Sequence, residues 1–163
     1  MKVIEITNQK ESNSLIVFLD KMFANWLEKS SFAKENACCP GRTYDQIKEK
    51  IEQMDENPYK FIVCTDNEEV VGMTYVSYFD EECLYLGLIN VHPEYRKKGV
   101  FKEILDKAEE ICNEKNMKYM RLCTWQGNEA AIHTFQKCGF EVYAENEKSI
   151  ELRKYMKISD EYK

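Results

Sequence analysis

A short basic stretch in the middle of the chain contains the residue types that hold a phosphate group. Arg96, Lys97 and Lys98 are followed directly by Gly99. A helix start offers N–H groups without intrahelical partners and a partial positive charge. A glycine there has no Cβ to keep a bulky anion away from the backbone. If these residues open a helix, they form a cradle for a phosphate or a pyrophosphate.

The segments on either side predict that this stretch does open a helix. Residues 84–91 form an apolar, strand-like run, and Pro93 marks a turn after it. Beyond the glycine, apolar residues recur at spacings of three and four: Val100, Phe101, Ile104, Leu105, Ala108, Ile111 and Cys112. We therefore predict a strand-to-helix corner with a helix over residues 96–115. A solvated first helical turn is the alternative, but cations are unfavourable at a helix start unless an anion is bound there.

A second block, residues 128–140, reads Asn-Glu-Ala-Ala-Ile-His-Thr-Phe-Gln-Lys-Cys-Gly-Phe. The two blocks, in this order, resemble the acetyl-CoA signature and the next motif of the GCN5-related N-acetyltransferases, the GNAT family. In that family a strand ending in Val and Pro runs into Arg/Gln-x-x-Gly-x-Gly/Ala, and Asn-x-x-Ala-x-x-x-Tyr-x-x-x-Gly-Phe follows. The matching landmarks of the first block are Val91, Pro93, Tyr95, Arg96 and Gly99.

The resemblance covers residues 69–143 and implies acetyl-CoA as co-substrate, with no metal. Backbone groups of the strand end would pair with the pantetheine arm, and the basic corner would hold the pyrophosphate. Asn128 is expected both to cap its helix and to touch the coenzyme arm. The implied coenzyme-binding residues are Ile89, Asn90, Val91, Arg96, Lys97, Lys98, Gly99, Val100, Phe101 and Asn128.

Two residues depart from the family pattern. Phe101 stands where a second small residue is usual, and its spacing with Ile104 and Leu105 favours a position in the core. Phe135 stands where the family usually has a tyrosine that protonates the leaving thiolate. A thiol has an ordinary pKa of about 8.5, so the thiolate can leave unassisted. Otherwise Tyr143, Tyr85 or a water stands in, or catalysis is lost.

The sequence also leaves more than one candidate for the general base. Some family members have a glutamate on the fourth strand, and here that position holds Tyr85, which does not act as a base near neutral pH. Glu81 and Glu82 are expected to be turn residues, and His92 and His133 to be surface histidines. A water molecule that relays the proton from the amine is a further alternative. Another is a covalent acetyl-cysteine intermediate formed on Cys138.

Function then divides into two hypotheses. The first is an N-acetyltransferase that moves an acetyl group from acetyl-CoA to a primary amine of a small molecule or peptide. The second is a non-catalytic acyl-CoA sensor, supported by the missing tyrosine and glutamate. Acceptor-lining candidates are Trp26, Phe32, Arg42, Tyr44, Tyr78 and Trp125, and the irregular segment 28–42 is long enough for a lid.

Composition limits the alternatives. A single domain over residues 1–163 is expected at this length. The net charge of −6 argues against a nucleic-acid binder, and no apolar run approaches the roughly 20 residues of a membrane span. Seven cysteines without zinc spacing, and the absence of a signal-peptide layout, favour a reduced, cytoplasmic setting. A homodimer is expected as a common arrangement.

The hydrophobic pattern predicts an α/β (α+β) fold. Strands are expected at residues 3–6, 60–65, 70–79, 84–91, 117–124, 140–144 and 148–156, and helices at residues 15–27, 44–54, 96–115 and 127–137. The resemblance implies a mixed, mostly antiparallel twisted sheet of six or seven strands flanked by about four helices. It also implies that the fourth and fifth strands are parallel and splay apart around the thioester arm.

Overall fold

The computed structural model of the protein describes residues 1–26, 34, 42–56, 59–78 and 81–157. Some sequence-based expectations fall outside these residues. They are the lid segment 28–42, apart from residues 34 and 42, and the acceptor candidate Phe32. The side chain of Trp26 is likewise not described.

One seven-stranded sheet runs through the molecule in the order β1-β2-β3-β4-β5-β7-β6. Its strands are β1 (Lys2–Ile6), β2 (Tyr59–Asp66), β3 (Glu69–Ser77), β4 (Cys83–Val91), β5 (Tyr119–Trp125), β6 (Glu141–Glu145) and β7 (Ser149–Tyr155). The pair β4–β5 is parallel, and every other neighbouring pair is antiparallel. The prediction of a mixed, mostly antiparallel sheet is confirmed.

Four α-helices lie within the described residues: α1 (Asn13–Lys21), α2 (Tyr44–Glu52), α3 (Val100–Glu114) and α4 (Glu129–Lys137). A π-helix, Met22–Trp26, continues α1. Thr43 caps α2, because its hydroxyl accepts the Gln46 N–H while the Gln46 side chain accepts the Thr43 N–H. Such a capping box satisfies two N–H groups that the helix itself leaves unpaired.

The helices cover both faces of the sheet, and each face carries its own apolar core. On one face α3 buries the stripe predicted from its spacing, including Ile104, Ala108 and Ile111, against Leu84, Leu86 and Leu122. On the other face α1 and α2 bury Leu15, Phe18, Ile47 and Ile51 against Phe61 and Tyr75. The sheet is therefore the fixed frame on which β4, β5 and the corner after β4 are positioned.

No helix within the described ranges has both the length and the apolar character needed to cross a membrane. All helix and strand predictions that fall on described residues match an observed element. With the π-helix counted as part of α1, the ends differ by a few residues, and the largest difference is the start of α3, at residue 100 instead of 96.

Candidate functional site

The two parallel strands in the middle of the sheet separate along their length. Pairing between β4 and β5 is confined to Cys83–Tyr119, Leu84–Met120 and Tyr85–Arg121. Beyond Tyr85, the described pairing of β4 continues only with β3, while β5 continues to pair with β7. A wedge therefore opens between the two strands from residue 86 onwards, as the family resemblance implied.

A bulge in β4 lies at the wedge. The pairing of Tyr75 with Gly87 and of Met73 with Asn90 leaves two β4 residues opposite Thr74. Leu88 has a left-handed φ of 46°, and the Thr74 hydroxyl donates to the Gly87 carbonyl over 2.8 Å. A bulge of this kind bends a strand and increases its twist, which turns the end of β4 away from β5.

Backbone alternation shows which β4 residues face the open side. Asn90 pairs with Met73, and the His92 N–H donates to the Val71 carbonyl over 2.8 Å, so both direct their polar groups to β3. Successive residues of a strand alternate in this direction. Val91, and Ile89 by the same alternation, therefore point their N–H and C=O groups into the wedge, where an extended chain can pair with them.

The corner after β4 is tighter than a direct strand-to-helix junction. A 3-10 helix, Pro93–Tyr95, comes first, then a turn in which Lys97 has φ 63° and Gly99 has φ 84°. The first α3 hydrogen bond runs from the Glu103 N–H to the Gly99 carbonyl over 3.0 Å. The predicted helix start at residue 96 was wrong, because the left-handed Gly99 is the N-cap.

This correction strengthens the case for an anion at the corner. The N–H groups of Val100, Phe101 and Lys102 precede the helical hydrogen-bond ladder and point out of the helix start. A Cβ placed on Gly99 would meet no protein atom within 4 Å, so there is open space at the residue that directly precedes these amides. The geometry fits a phosphate held by the helix N-terminus.

The three cations are exposed residues of the turn just before this helix start. Arg96 folds back so that its Nε donates to the Val91 carbonyl over 3.4 Å. The Lys98 Nζ lies 5.4 Å from the centre of the Tyr95 ring. Among the described residues, no carboxylate lies within ion-pair distance of Lys97 or Lys98. Both ammonium groups are therefore available to bind an anion.

Phe101 does not crowd the cradle. Its ring packs against the core and lies 5.3 Å from the ring of Phe135, centre to centre. Val100 is buried. The prediction that Phe101 continues the apolar stripe of the helix is confirmed.

Asn128 lies at the N-cap of α4, but its side chain does not cap the helix. Its Nδ2 donates to the Thr124 hydroxyl over 2.9 Å, and its backbone carbonyl accepts the Ile132 N–H. The expected side-chain cap was wrong, because the amide is engaged with the end of β5. Asn128 therefore lies next to the end of β5, which is one of the two strands of the wedge. Its contact with the coenzyme arm stays a prediction.

Phe135 is almost fully buried, at 7% exposure. Its ring lies between those of Phe101 and Phe140, at 5.3 and 6.4 Å. A side chain in this cluster offers no proton, so α4 does not supply an acid through residue 135.

Tyr85 lies in the last β4–β5 pair, at the root of the wedge. The Arg42 Nη2 donates to its hydroxyl oxygen over 2.7 Å, and the Arg121 guanidinium lies 5.1 Å from its ring centre. Arg42 is buried, at 1% exposure, so a fixed charge-assisted bond holds the phenol oxygen in place. Arg42, expected only as an acceptor-lining residue, therefore acts on Tyr85.

The comparisons with known proteins agree with this geometry. The model of the acetyltransferase (GNAT) family matches residues 21–140. The chain belongs to the GNAT family. The match includes both strands of the wedge, the basic corner, α3 and the block from Asn128 to Phe140.

Individual relatives are more distant. The uncharacterized protein YxbD of Bacillus subtilis (strain 168) is 31% identical over 77 residues, which are 47% of this chain and 46% of YxbD. The matched region thus spans about half the length of this curated relative.

Two solved structures illustrate how far the shared GNAT fold extends along this chain. PaiA N-acetyltransferase from Thermoplasma acidophilum, in complex with coenzyme A, aligns with a TM-score of 0.69 at 17% identity and covers 96% of this chain and 100% of that one. A GNAT family acetyltransferase from Elizabethkingia anophelis with acetyl-CoA bound aligns with a TM-score of 0.60 at 15% identity, covering 82% and 94%. At these identities the likeness shows the fold.

Other sequence candidates lie outside the wedge of this GNAT fold. Tyr143 is exposed on the edge strand β6, beneath the Arg153 guanidinium at 3.3 Å from its ring centre, and β5 and β7 separate β6 from β4. His133 is exposed on α4. His92 Nδ1 accepts the Glu94 N–H, and Glu82 pairs with Lys118 at the start of β4.

Cys138 is a poor candidate nucleophile, because partial burial raises the pKa of its thiol. A raised pKa lowers the fraction present as the reactive thiolate. Among the described residues, no group of three or more His, Cys, Asp or Glu side chains could hold a metal ion.

Sequence reasoning missed one residue of the corner. Asp66, at the end of β2, accepts the Tyr95 hydroxyl over 2.7 Å. The sequence gives no local signal for this contact, because residues 66 and 95 meet only once β2, β3 and β4 are paired.

Proposed function

We propose that this GNAT protein transfers an acetyl group from acetyl-CoA to a primary amine of a small molecule or peptide. The observation that carries the proposal is the continuity of the wedge and the cradle. The open side of β4 leads from Tyr85 past Ile89 and Val91 to the helix start at Gly99. A coenzyme with an extended amide arm and a pyrophosphate has the same order of groups.

Each end of the coenzyme then has matching partners in this chain. Ile89 and Val91 offer backbone groups to the pantetheine amides in the manner of an added strand. The N–H groups at residues 100–102 and the side chains of Arg96, Lys97 and Lys98 hold the pyrophosphate. The coenzyme-bound structures of PaiA and of the Elizabethkingia anophelis protein support this assignment by their shared fold.

The chain contributes to the chemistry chiefly by orienting the thioester at the root of the wedge. The neutral amine attacks the carbonyl carbon, a C–N bond forms, and the C–S bond breaks. The amine nitrogen loses one proton to solvent, and the departing sulfur gains one. We propose that Tyr85, held by Arg42, serves the departing sulfur in place of the tyrosine that Phe135 replaces.

The test is release of free thiol from acetyl-CoA, followed with a chromogenic thiol reagent across a panel of primary amines. The proposal expects amine-dependent release that saturates with both substrates. A GNAT protein that binds acetyl-CoA tightly but releases no thiol above background on any amine would be the sensor alternative. A thermal shift with CoA measures binding separately, since a ligand at 100 times its Kd stabilises by about 2.7 kcal/mol.

Three further statements belong to the same proposal. We propose that residues 1–163 act as one acetyltransferase domain, in line with the single continuous sheet. The homodimer and the cytoplasmic setting stay predictions. Light scattering of the purified protein and fractionation of cells that express it test them.

A further inference from the structure

The Tyr95 side chain occupies the centre of the basic corner. Its hydroxyl donates to the Asp66 Oδ2 over 2.7 Å. The Lys98 ammonium lies 5.4 Å from its ring centre, and the His92 ring meets it edge to face at 5.8 Å. Tyr95 is thus the side chain through which β2, the end of β4 and the basic turn are connected.

Its anchor is a rigid part of the sheet. Asp66 pairs with Glu69 at the tip of the β2–β3 hairpin, and the two residues between them, Asn67 and Glu68, both have left-handed φ angles, of 50° and 67°. Two such residues in succession are typical of the tightest hairpin turn. The hydrogen bond also raises the pKa of Tyr95, so the hydroxyl stays protonated and keeps donating to Asp66.

The basic turn itself has few other fixed contacts. Lys97 and Lys98 are exposed, Lys97 has a left-handed φ of 63°, and no side chain caps α3. A lysine ammonium over an aromatic face gains an attraction that a solvated lysine lacks. The Tyr95 ring is therefore the contact that sets where the Lys98 charge lies relative to the helix start.

We propose that Tyr95, anchored by Asp66, is a positioning residue for the pyrophosphate site: it holds the Lys98 ammonium beside the first N–H groups of α3. The inference rests on the proposed use of acetyl-CoA, and it adds a residue pair outside the coenzyme contacts. Loss of the hydrogen bond from the Tyr95 hydroxyl to Asp66 should therefore weaken the binding only of an acetyl donor that carries a pyrophosphate.

The experiment compares Tyr95→Phe with wild type on two donors, acetyl-CoA and S-acetylpantetheine, which lacks the pyrophosphate. The variant keeps the ring and removes one bond to a carboxylate. We expect KM and Kd for acetyl-CoA to rise about tenfold, with kcat unchanged and no change in kcat/KM for S-acetylpantetheine. Asp66→Ala should reproduce the effect, and the double variant should add little to it.

Tyr155→Phe is a control for the same chemical change. The Tyr155 hydroxyl accepts a hydrogen bond from the Arg153 Nη1 over 3.3 Å. Tyr155 lies at the end of β7, and β5 separates β7 from β4. This variant should leave both donors unaffected even if the melting temperature falls.

Equal losses on both donors in Tyr95→Phe would overturn the inference, and so would a loss of the same size in Tyr155→Phe. Either result would describe general destabilisation of the protein. The wild-type measurements judge the proposed function separately. Wild-type protein that neither binds CoA nor releases thiol would remove the proposed function, whatever the variants do.

Discussion

Replacing Gly99 with alanine should lower both the stability of the fold and the affinity for the coenzyme, and the two losses can be measured separately. Gly99 has φ 84°, a conformation that costs an L-residue about 1–2 kcal/mol. The new Cβ meets no protein atom within 4 Å, so no steric cost adds to this strain. Since each 1 kcal/mol shifts the melting temperature of a domain of this size by about 2–4 °C, we expect a loss of about 2–8 °C.

The effect on coenzyme binding should be larger. The Cβ would enter the open space at Gly99, which directly precedes Val100 and Phe101, where the pyrophosphate is expected. A hydrogen bond to a charged group contributes about 1.5–3 kcal/mol. Displacing one such bond weakens the Kd for CoA about 10- to 100-fold, and Gly99→Val should abolish binding.

Gly139→Ala provides the matched control. Gly139 has a similar φ of 96°, and its new Cβ would meet only the flexible end of Lys154, at 3.2 Å. Titration calorimetry with CoA on wild type and both variants, with melting temperatures measured alongside, completes the comparison. Undiminished affinity in Gly99→Ala, or an equal loss in Gly139→Ala, would refute the cradle.

Three further predictions test the chemistry and the interior. Tyr85→Phe should lower kcat about 10²-fold while leaving the Kd for CoA unchanged, and an unchanged kcat would exclude Tyr85 from catalysis. Phe135→Tyr should raise kcat at least about tenfold if residue 135 faces the departing sulfur; no change would mean that it serves only the core. Burial raises the pKa of the Cys112 thiol from 9.0 to about 11. Because the folded pKa is the higher one, this stabilising contribution is complete below pH 9 and disappears as the pH rises towards 11. Urea unfolding should therefore lose stability more steeply over that range in wild type than in Cys112→Ala.

The sequence predicted the elements of the fold because their signals are local. The capping box of Thr43 and Gln46 lies within four residues, and the buried stripe of α3 follows directly from its spacing. Asn67 and Glu68 lie between the strands predicted at residues 60–65 and 70–79, and they adopt left-handed φ angles there. In each case the residues that decide the structure are neighbours in the chain.

The site was predicted less completely because several of its parts depend on tertiary contacts. The start of α3 moved to residue 100 because Gly99 adopts a left-handed conformation that spacing does not reveal. Asn128 bonds to Thr124 instead of its own helix. The Leu88 bulge depends on pairing with β3, and the Asp66–Tyr95 and Arg42–Tyr85 bonds join residues far apart in sequence.

The most direct measurement is a crystal structure of the wild-type protein with CoA. We predict that the diphosphate lies within hydrogen-bond distance of the N–H groups at residues 100–102, with the pantetheine amides paired to Ile89 and Val91 in the wedge. A coenzyme bound elsewhere, or a structure in which residues 96–101 contact no phosphate, would contradict the account.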